Sequence, residues 1–360
     1  MTEKKVILVT GVAGYWGRRV ALRLVGETGY RIIGLDREPP AQEIQGLDVL
    51  EADVRSPLLV DLLRAEEVDT VCHLDLVETM QPDDVAFDLN VMGTTKLLDA
   101  CADAGVRKVV LRSSTAVYGA RPSNPAFLTE DHALRGSKSF GTVRDMIEIE
   151  KFCTGFRWQS PGLMLTILRF ASIVGPTVDT PMTRFLKNPW APSLLGFDPR
   201  MQIIHEDDVV EALAHAVLND VPGVFNVAST EVLPLNKMKG LVGKLPVSVF
   251  HPFAYWGMRF RERAGAALAP SLPIEPDYLR YPWVADLRRM QEELGFTPRY
   301  SAEEALHQFK EQCQSTRGLQ PSAGVSGNDE KLREIIEQRR RMREHQATTA
   351  SGMAGGGQDE

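Results

Sequence analysis

Val6-Ile7-Leu8-Val9-Thr10-Gly11-Val12-Ala13-Gly14-Tyr15-Trp16-Gly17 is the stretch that decides the fold. Its first five residues, aliphatic and β-branched, predict a strand buried on both faces. Three glycines follow at 11, 14 and 17, and residues 18–25 read as a helix with Val20, Leu22 and Val25 turned inward. A glycine-rich run alone is an ordinary turn. Here a strand precedes it, a helix follows, and residues 31–36 form a second strand ending in Asp36, 19 residues past Gly17; that context marks a dinucleotide site. Gly11 permits the tight turn, Gly14 lets backbone approach a pyrophosphate, and Gly17 lets the helix pack close to the strand. The helix N-terminus offers N–H groups and positive potential to the phosphates. Tyr15 and Trp16 lie in the same turn and join the candidate contacts. Asp36 accepts hydrogen bonds from ribose hydroxyls and repels a 2′-phosphate, which favours NAD; Arg37 beside it keeps NADP open.

Outward from this unit the alternation continues. Residues 68–74, 108–112 and 165–170 read as strands, and 90–104 as a helix with Val91, Leu97, Leu98 and Cys101 at helical spacing. Alternating strand and helix implies right-handed parallel crossovers. The expected fold is α/β, a doubly wound parallel sheet (Rossmann-like) with a smaller C-terminal substrate lobe. The division is 1–170 for the NAD-binding part and 171–316 mainly for the substrate lobe, some elements of which return to the sheet. Residues 317–360 read as linker, charged helix and disordered tail. The 360 residues are 43% hydrophobic and 25% charged with net charge −7. That excludes a mostly disordered chain and disfavours general nucleic-acid binding. Cys72, Cys101, Cys153 and Cys313 are scattered, with no CxxC pair, and read as reduced thiols of a cytoplasmic protein. No run of 18 apolar residues exists, and the short apolar run after Lys4 and Lys5 is unlike a secretory leader.

Further motifs carry a family resemblance. In order they are Asp53-Val54-Arg55, His73-Leu74, Asn90-Val91-x-Gly93-Thr94, 113–119 (SSTAVYG), 205–209 (HEDDV), 223–227 (GVFNV) and Glu293-Leu294-Gly295-Phe296-x-Pro298. With the glycine loop, they resemble the extended short-chain dehydrogenase/reductases of the NAD-dependent epimerase/dehydratase group, over about residues 5 to 310. The resemblance implies a hydride-transferring enzyme with a small-molecule substrate and a homodimer. It implies that Asp53 and Val54 contact the adenine, that Leu74 lies under the nicotinamide, and that Asn90 belongs to the cofactor site. It also implies a Ser, Tyr, Lys set in which Tyr and Lys, four apart on a helix, share a face.

Ser114 takes the serine position, where it reads either as the group polarising a substrate oxygen or as a strand-end cap. The other two positions depart. Phe140 stands where the tyrosine is expected and Arg144 where the lysine is. Phe exchanges no proton; Arg still bonds a ribose and carries charge but is a poor proton carrier. Asp75 reads as a loop-start cap, with a catalytic acid as the alternative, and the resemblance implies that Tyr118 is mainly structural or substrate-contacting. His205, Asp207 and Asp208 read as a loop and helix cap, and no metal site is expected.

In the lobe, Ser172 and Met201 occupy positions where sugar-nucleotide members of the family carry Asn and Arg, which leans the substrate toward a lipid-like molecule over a nucleotide sugar. Residues 246–258 (PVSVFHPFAYWGM), followed by Arg259, Arg261 and Arg263, read as a core helix or dimer surface, with a lid or a peripheral membrane contact as alternatives. Two classes of function remain. The first is an NAD(P)-dependent oxidoreductase or epimerase/dehydratase-like enzyme with an altered acid/base, preferred because Ser114, the loop and the lobe are retained. The second is a non-catalytic NAD(P)-binding sensor or scaffold.

Overall fold

The computed structural model describes residues 5–188, 191–244, 247–250 and 274–318. Seven strands form one sheet: β1 (Lys5–Thr10), β2 (Tyr30–Asp36), β3 (Asp48–Glu51), β4 (Val68–His73), β5 (Lys108–Ser114), β6 (Met164–Phe170) and β10 (Gly223–Val227). Their order is β3-β2-β1-β4-β5-β6-β10, with every neighbour parallel. The chain reverses its winding between β1 and β4, so the crevice at the carboxyl ends of those strands is the binding edge.

Alternation along the strands builds a core on each face. Ile7 and Val9 of β1 join one cluster, with Val20, Ala21 and Leu24 of α1 (Tyr15–Val25) and Leu213 and Val217 of α7 (Glu206–Leu218). Val6 and Leu8 join the other, with Leu63 of α2 (Leu59–Ala65), Leu97, Leu98 and Cys101 of α4 (Gly93–Ala104), and Ile149 and Cys153 of α5 (Gly141–Gln159). Leu22 departs from expectation: it is 47% exposed. Two residues past Val20 it lies about 200° around the helix, off the inner stripe. The helix expected from residue 90 is preceded by α3 (Asp84–Phe87) and a wide turn, Asp88–Met92. The edge strand β3 is too short and polar to have shown in the sequence.

The second layer of structure sits after β6. Strands β7 (Ser172–Val174), β9 (Arg200–His205) and β11 (Val232–Pro234) make a three-stranded sheet, and β8 (Pro192–Leu194) pairs with β12 (Val247–Val249). They surround a third cluster with α6 (Pro181–Lys187), α8 (Leu235–Leu241) and the turn Pro276–Leu279. Helix α9 (Arg288–Glu292) instead places Met290 in the core of the main sheet, while α10 (Ala302–Gly318) adds Leu306 and Phe309 to the third cluster. One compact unit runs to Cys313; the second begins at Gln314, and its described part is the end of α10. Most of the apolar stretch 246–258, the three arginines after it, and the expected linker, charged helix and tail of 319–360 lie outside the described residues. Among the described residues, no helix is long and apolar enough to cross a membrane, and the four cysteines are free thiols.

Candidate active site

The glycine loop is locked to its neighbours. Gly11 has φ +74°, and a Cβ there would sit 2.8 Å from the Asp75 amide nitrogen. A Cβ on Gly17 would lie 2.0 Å from the Gly11 carbonyl oxygen, so α1 starts directly on the turn. No side chain caps α1, and its first N–H groups stay available to an anion. Asp36, buried at the end of β2, accepts the Ala13 N–H at 2.9 Å and so fastens the loop to the strand. Arg37 is exposed beside it. Trp16 is buried, edge-on to Tyr15 with ring centroids 4.9 Å apart. The Tyr15 hydroxyl meets Thr177 at 2.8 Å and accepts from Arg19 at 2.7 Å, and burial pushes its pKa up to about 12.

Beneath the loop runs a chain of hydrogen bonds that fixes a tautomer. The Thr94 hydroxyl donates to the Asn90 carbonyl at 2.6 Å, so its other contact, His73 Nε2 at 3.0 Å, must carry the proton. His73 Nδ1 then accepts from the Thr10 hydroxyl at 2.7 Å, while Thr10 Oγ1 accepts the Leu74 N–H at 3.1 Å. Burial lowers the His73 pKa to about 4, so the ring is neutral. Leu74 is itself buried.

At the outer end of the crevice, Asp53 accepts from Arg55 through its backbone at 2.8 Å and its guanidinium at 2.6 Å, which holds the carboxyl below its usual range. Arg55 also pairs with Asp88, and Val54 is buried against Gly93. Asp75 caps nothing among the described residues, contrary to expectation. It faces Asp36 and Asp53; burial first, and then the Asp36 charge, raise its pKa.

A cleft of about 160 Å³ opens at the carboxyl ends of β5 and β6. Ser114 and Phe140 both line it, among Met80, Val143, Met146, Ile173, Met182 and Ile274. Ser114 caps the turn Thr115–Tyr118 by accepting the Ala116 N–H at 3.1 Å, which leaves its proton for another acceptor. Arg144 is not among the lining residues. Its guanidinium donates to Asp145 at 2.9 Å and to the Asp83 carbonyl at 3.0 Å, and lies 4.8 Å over the Phe87 ring. The shared face expected for 140 and 144 therefore fails for a local reason. Phe140 is the N-cap of α5, with extended φ −99° and ψ 117°, so its side chain leaves the backbone outside the helical repeat. The cap is tight: a Cβ on Gly141 would meet Thr79 Oγ1 at 2.2 Å, and Thr142 exchanges hydrogen bonds with the Thr79 backbone at 2.7 and 3.0 Å. Asn90 belongs to this joint. Its amide bonds both polar backbone groups of Val77, at 2.8 and 2.9 Å, and donates to Asp145 at 2.9 Å.

Behind the cleft lies a buried network that the sequence reading did not anticipate. Arg169 and Glu150 form an ion pair, 2.9 Å at Nε and 2.5 Å at Nη2. Ser113 donates to Glu150, and Arg169 also donates to the Tyr118 hydroxyl at 2.6 Å, which donates to Asn226 at 2.7 Å. Tyr118 is thus structural, its pKa pushed up to about 12 by burial. Glu78, Arg112, Glu275, Tyr278 and Trp283 were also missed. Arg112, buried next to Ser113, donates to Glu78 at 2.6 Å and lies 5.5 Å over Trp16, bridging the loop and the cleft. Glu78, Arg112 and the segment 275–283 lie far apart in the chain, with no spacing to mark them; an Arg inside a buried strand was the one visible signal. Ser172 lines the cleft, Met201 is core, and Arg200 is exposed. His205 caps α7, accepting the Asp207 N–H at 3.1 Å.

Comparisons with known proteins agree with this architecture. An uncharacterized protein of Mycobacterium tuberculosis (strain ATCC 25618 / H37Rv) is 33% identical over 314 residues, 85% of this chain and 83% of the relative. Among solved structures, MoeE5 in complex with UDP-glucuronic acid and NAD is similar with a TM-score of 0.64 and 25% identity, over 87% of this chain and 99% of that one. The UDP-glucose 4-epimerase of Thermotoga maritima with UDP-glucose shares the fold, with a TM-score of 0.66 at 20% identity, over 87% and 99%. The sequence model of one family covers residues 7–228, from β1 through β10. The chain belongs to the NAD dependent epimerase/dehydratase family.

Proposed function

We propose that this chain is an NAD-binding oxidoreductase or epimerase/dehydratase-type enzyme with an altered acid/base site, acting on a hydroxyl or keto group carried by a lipid-like, largely apolar molecule. The observation that carries the reading is the cleft: Ser114 and Phe140 line one mainly apolar space at the carboxyl ends of β5 and β6. An apolar wall of this extent favours an apolar ligand body, with a few polar groups fixing its orientation.

The residues fit the cofactor. Gly11, Gly14 and Gly17 keep side-chain atoms off the turn, and the uncapped start of α1 suits a diphosphate. Asp36 stands where a ribose would bond, with Arg37 beside it, Tyr15 and Trp16 wall the loop, and Asp53, Val54 and Leu74 border the crevice. NAD, when bound, supplies the hydride acceptor. Ser114 would donate its free proton to the reacting oxygen. Arg144 and Asn90 act at one remove, by fixing the start of α5 and residues 77–83. A homodimer and a cytoplasmic setting remain expectations of this reading, checked by sedimentation and cell fractionation.

Calorimetry with NAD and NADP, followed by a screen of alkyl, aryl and sugar-nucleotide alcohols for cofactor reduction, tests it. NAD binding with turnover lost in Ser114→Ala supports the enzyme. The alternative, a non-catalytic NAD-binding sensor, draws support from Arg144 being engaged with Asp145 and Asp83. It predicts NAD binding without turnover of any substrate in the screen.

A further inference from the structure

Three lining residues of the cleft carry a buried polar atom with no partner among the described residues: Glu275 Oε1, Thr79 Oγ1 and Trp283 Nε1. Buried polar atoms are ordinarily paired, so such a cluster in one cavity marks where a ligand completes the bonding. Thr79 and Trp283 offer hydrogen bonds. Glu275 offers a group that holds and releases a proton.

The other ionisable groups at the cleft are committed. The Tyr278 hydroxyl donates to the Ala116 carbonyl at 2.9 Å, and burial raises its pKa further. Glu78 is tied to Arg112. Tyr118 lies in the network behind. Glu275 caps the turn Pro276–Leu279, and the Tyr278 bond to Ala116 fastens that turn over the strand end, two residues from Ser114. We infer that Glu275 is the proton-transfer group of this cleft.

The inference rests on reading the cleft as a hydride-transfer site. In the oxidative direction Glu275 would take the proton as the substrate O–H bond breaks. The carbon–oxygen double bond would form as the C–H electron pair leaves with its hydrogen as hydride, for which bound NAD would be the acceptor, and reduction would reverse each step. Burial raises the Glu275 carboxyl pKa, Ser137 lowers it as a hydrogen-bonding neighbour, and Asp277 raises it. Glu78 and Arg184 share the apolar cleft with it, and Arg121, Arg135, Lys138 and Lys151 line an adjoining polar one that Glu275 also borders. A carboxyl poised above its ordinary range suits proton transfer near neutrality.

Infrared titration, as the difference between wild type and Glu275→Gln, isolates this carboxyl. Expected is a protonated band persisting above the ordinary glutamate value of about 4.3. Oxidised NAD, with its positive ring, shifts that titration to lower pH and reduced NAD does not, while Ser137→Ala shifts it to higher pH. Glu275→Gln keeps NAD affinity within about twofold and, on the first substrate the screen yields, loses about a hundredfold in kcat with KM little changed. A band that titrates normally and ignores both cofactor forms, or an unchanged kcat, overturns the inference while NAD binding stands. A wild type that binds no NAD overturns the functional reading itself.

Discussion

Around the glycine loop, several side chains are tied down within the protein: Asp36 to Ala13, Asp53 to Arg55, Thr10 to His73. In the cleft beside Ser114, Glu275, Thr79 and Trp283 each leave a buried atom unpaired among the described residues. The loop also admits no added atom at Gly17, whereas the cleft stands open with room of about 160 Å³. The two ends of one sheet edge thus obey different rules. The loop is a seat shaped by contacts within the protein, and the cleft keeps buried polar atoms free to bond a ligand. The teaching is that retention of a binding motif says little about the chemistry next to it.

The largest expected effect tests whether the cleft's backing is separate from the seat. Arg169→Ala leaves Glu150 buried without its cation and lowers unfolding free energy by about 3–5 kcal/mol in urea. NAD affinity, measured where the variant is still folded, changes by less than about threefold if the two ends are independent. Acid tests the joint beneath the loop. His73 has a folded pKa of about 4 against 6.5 for the free group. The unfolded chain therefore takes up the proton first, and stability falls as pH drops from 6.5 toward 4, by about 3 kcal/mol at 1.36 per unit. His73→Gln flattens that slope in a pH series of melts.

Gly17→Ala strikes the seat itself. Its Cβ meets backbone, and the expected cost is about 1–3 kcal/mol, with NAD affinity down by about tenfold or more in calorimetry. An unchanged affinity would break the claim that the seat's shape is fixed. The smallest effect is Thr177→Val, which removes the Tyr15 contact and the bond the hydroxyl donates to Glu206 at 2.7 Å and costs about 1–2 kcal/mol, with little change in NAD affinity.

Legibility followed the same divide. The strand, glycines, helix and Asp36 lie within one contiguous segment, and their roles follow from local geometry, so they could be read directly. Phe140 and Arg144 could be recognised as departures by their spacing. Their divergence could not, because it depends on Phe140 being an N-cap, and the cap is set by Gly141 meeting Thr79 from a distant loop. Glu275 was invisible for a related reason: one carboxylate between prolines gains meaning from the cleft it borders. The Glu150–Arg169 pair joins a helix to a strand interior, and nothing local in either segment announces it.

The amide of Asn90 has a consequence for how the chain assembles. It joins Val77, 13 residues away, and Asp145, 55 residues away. Closing the longer loop costs about 1.3 kcal/mol more entropy than the shorter. The clasp to Val77 is therefore entropically the less costly of the two closures, and one amide ties both the loop at residue 77 and the first turns of α5, the helix that Phe140 begins.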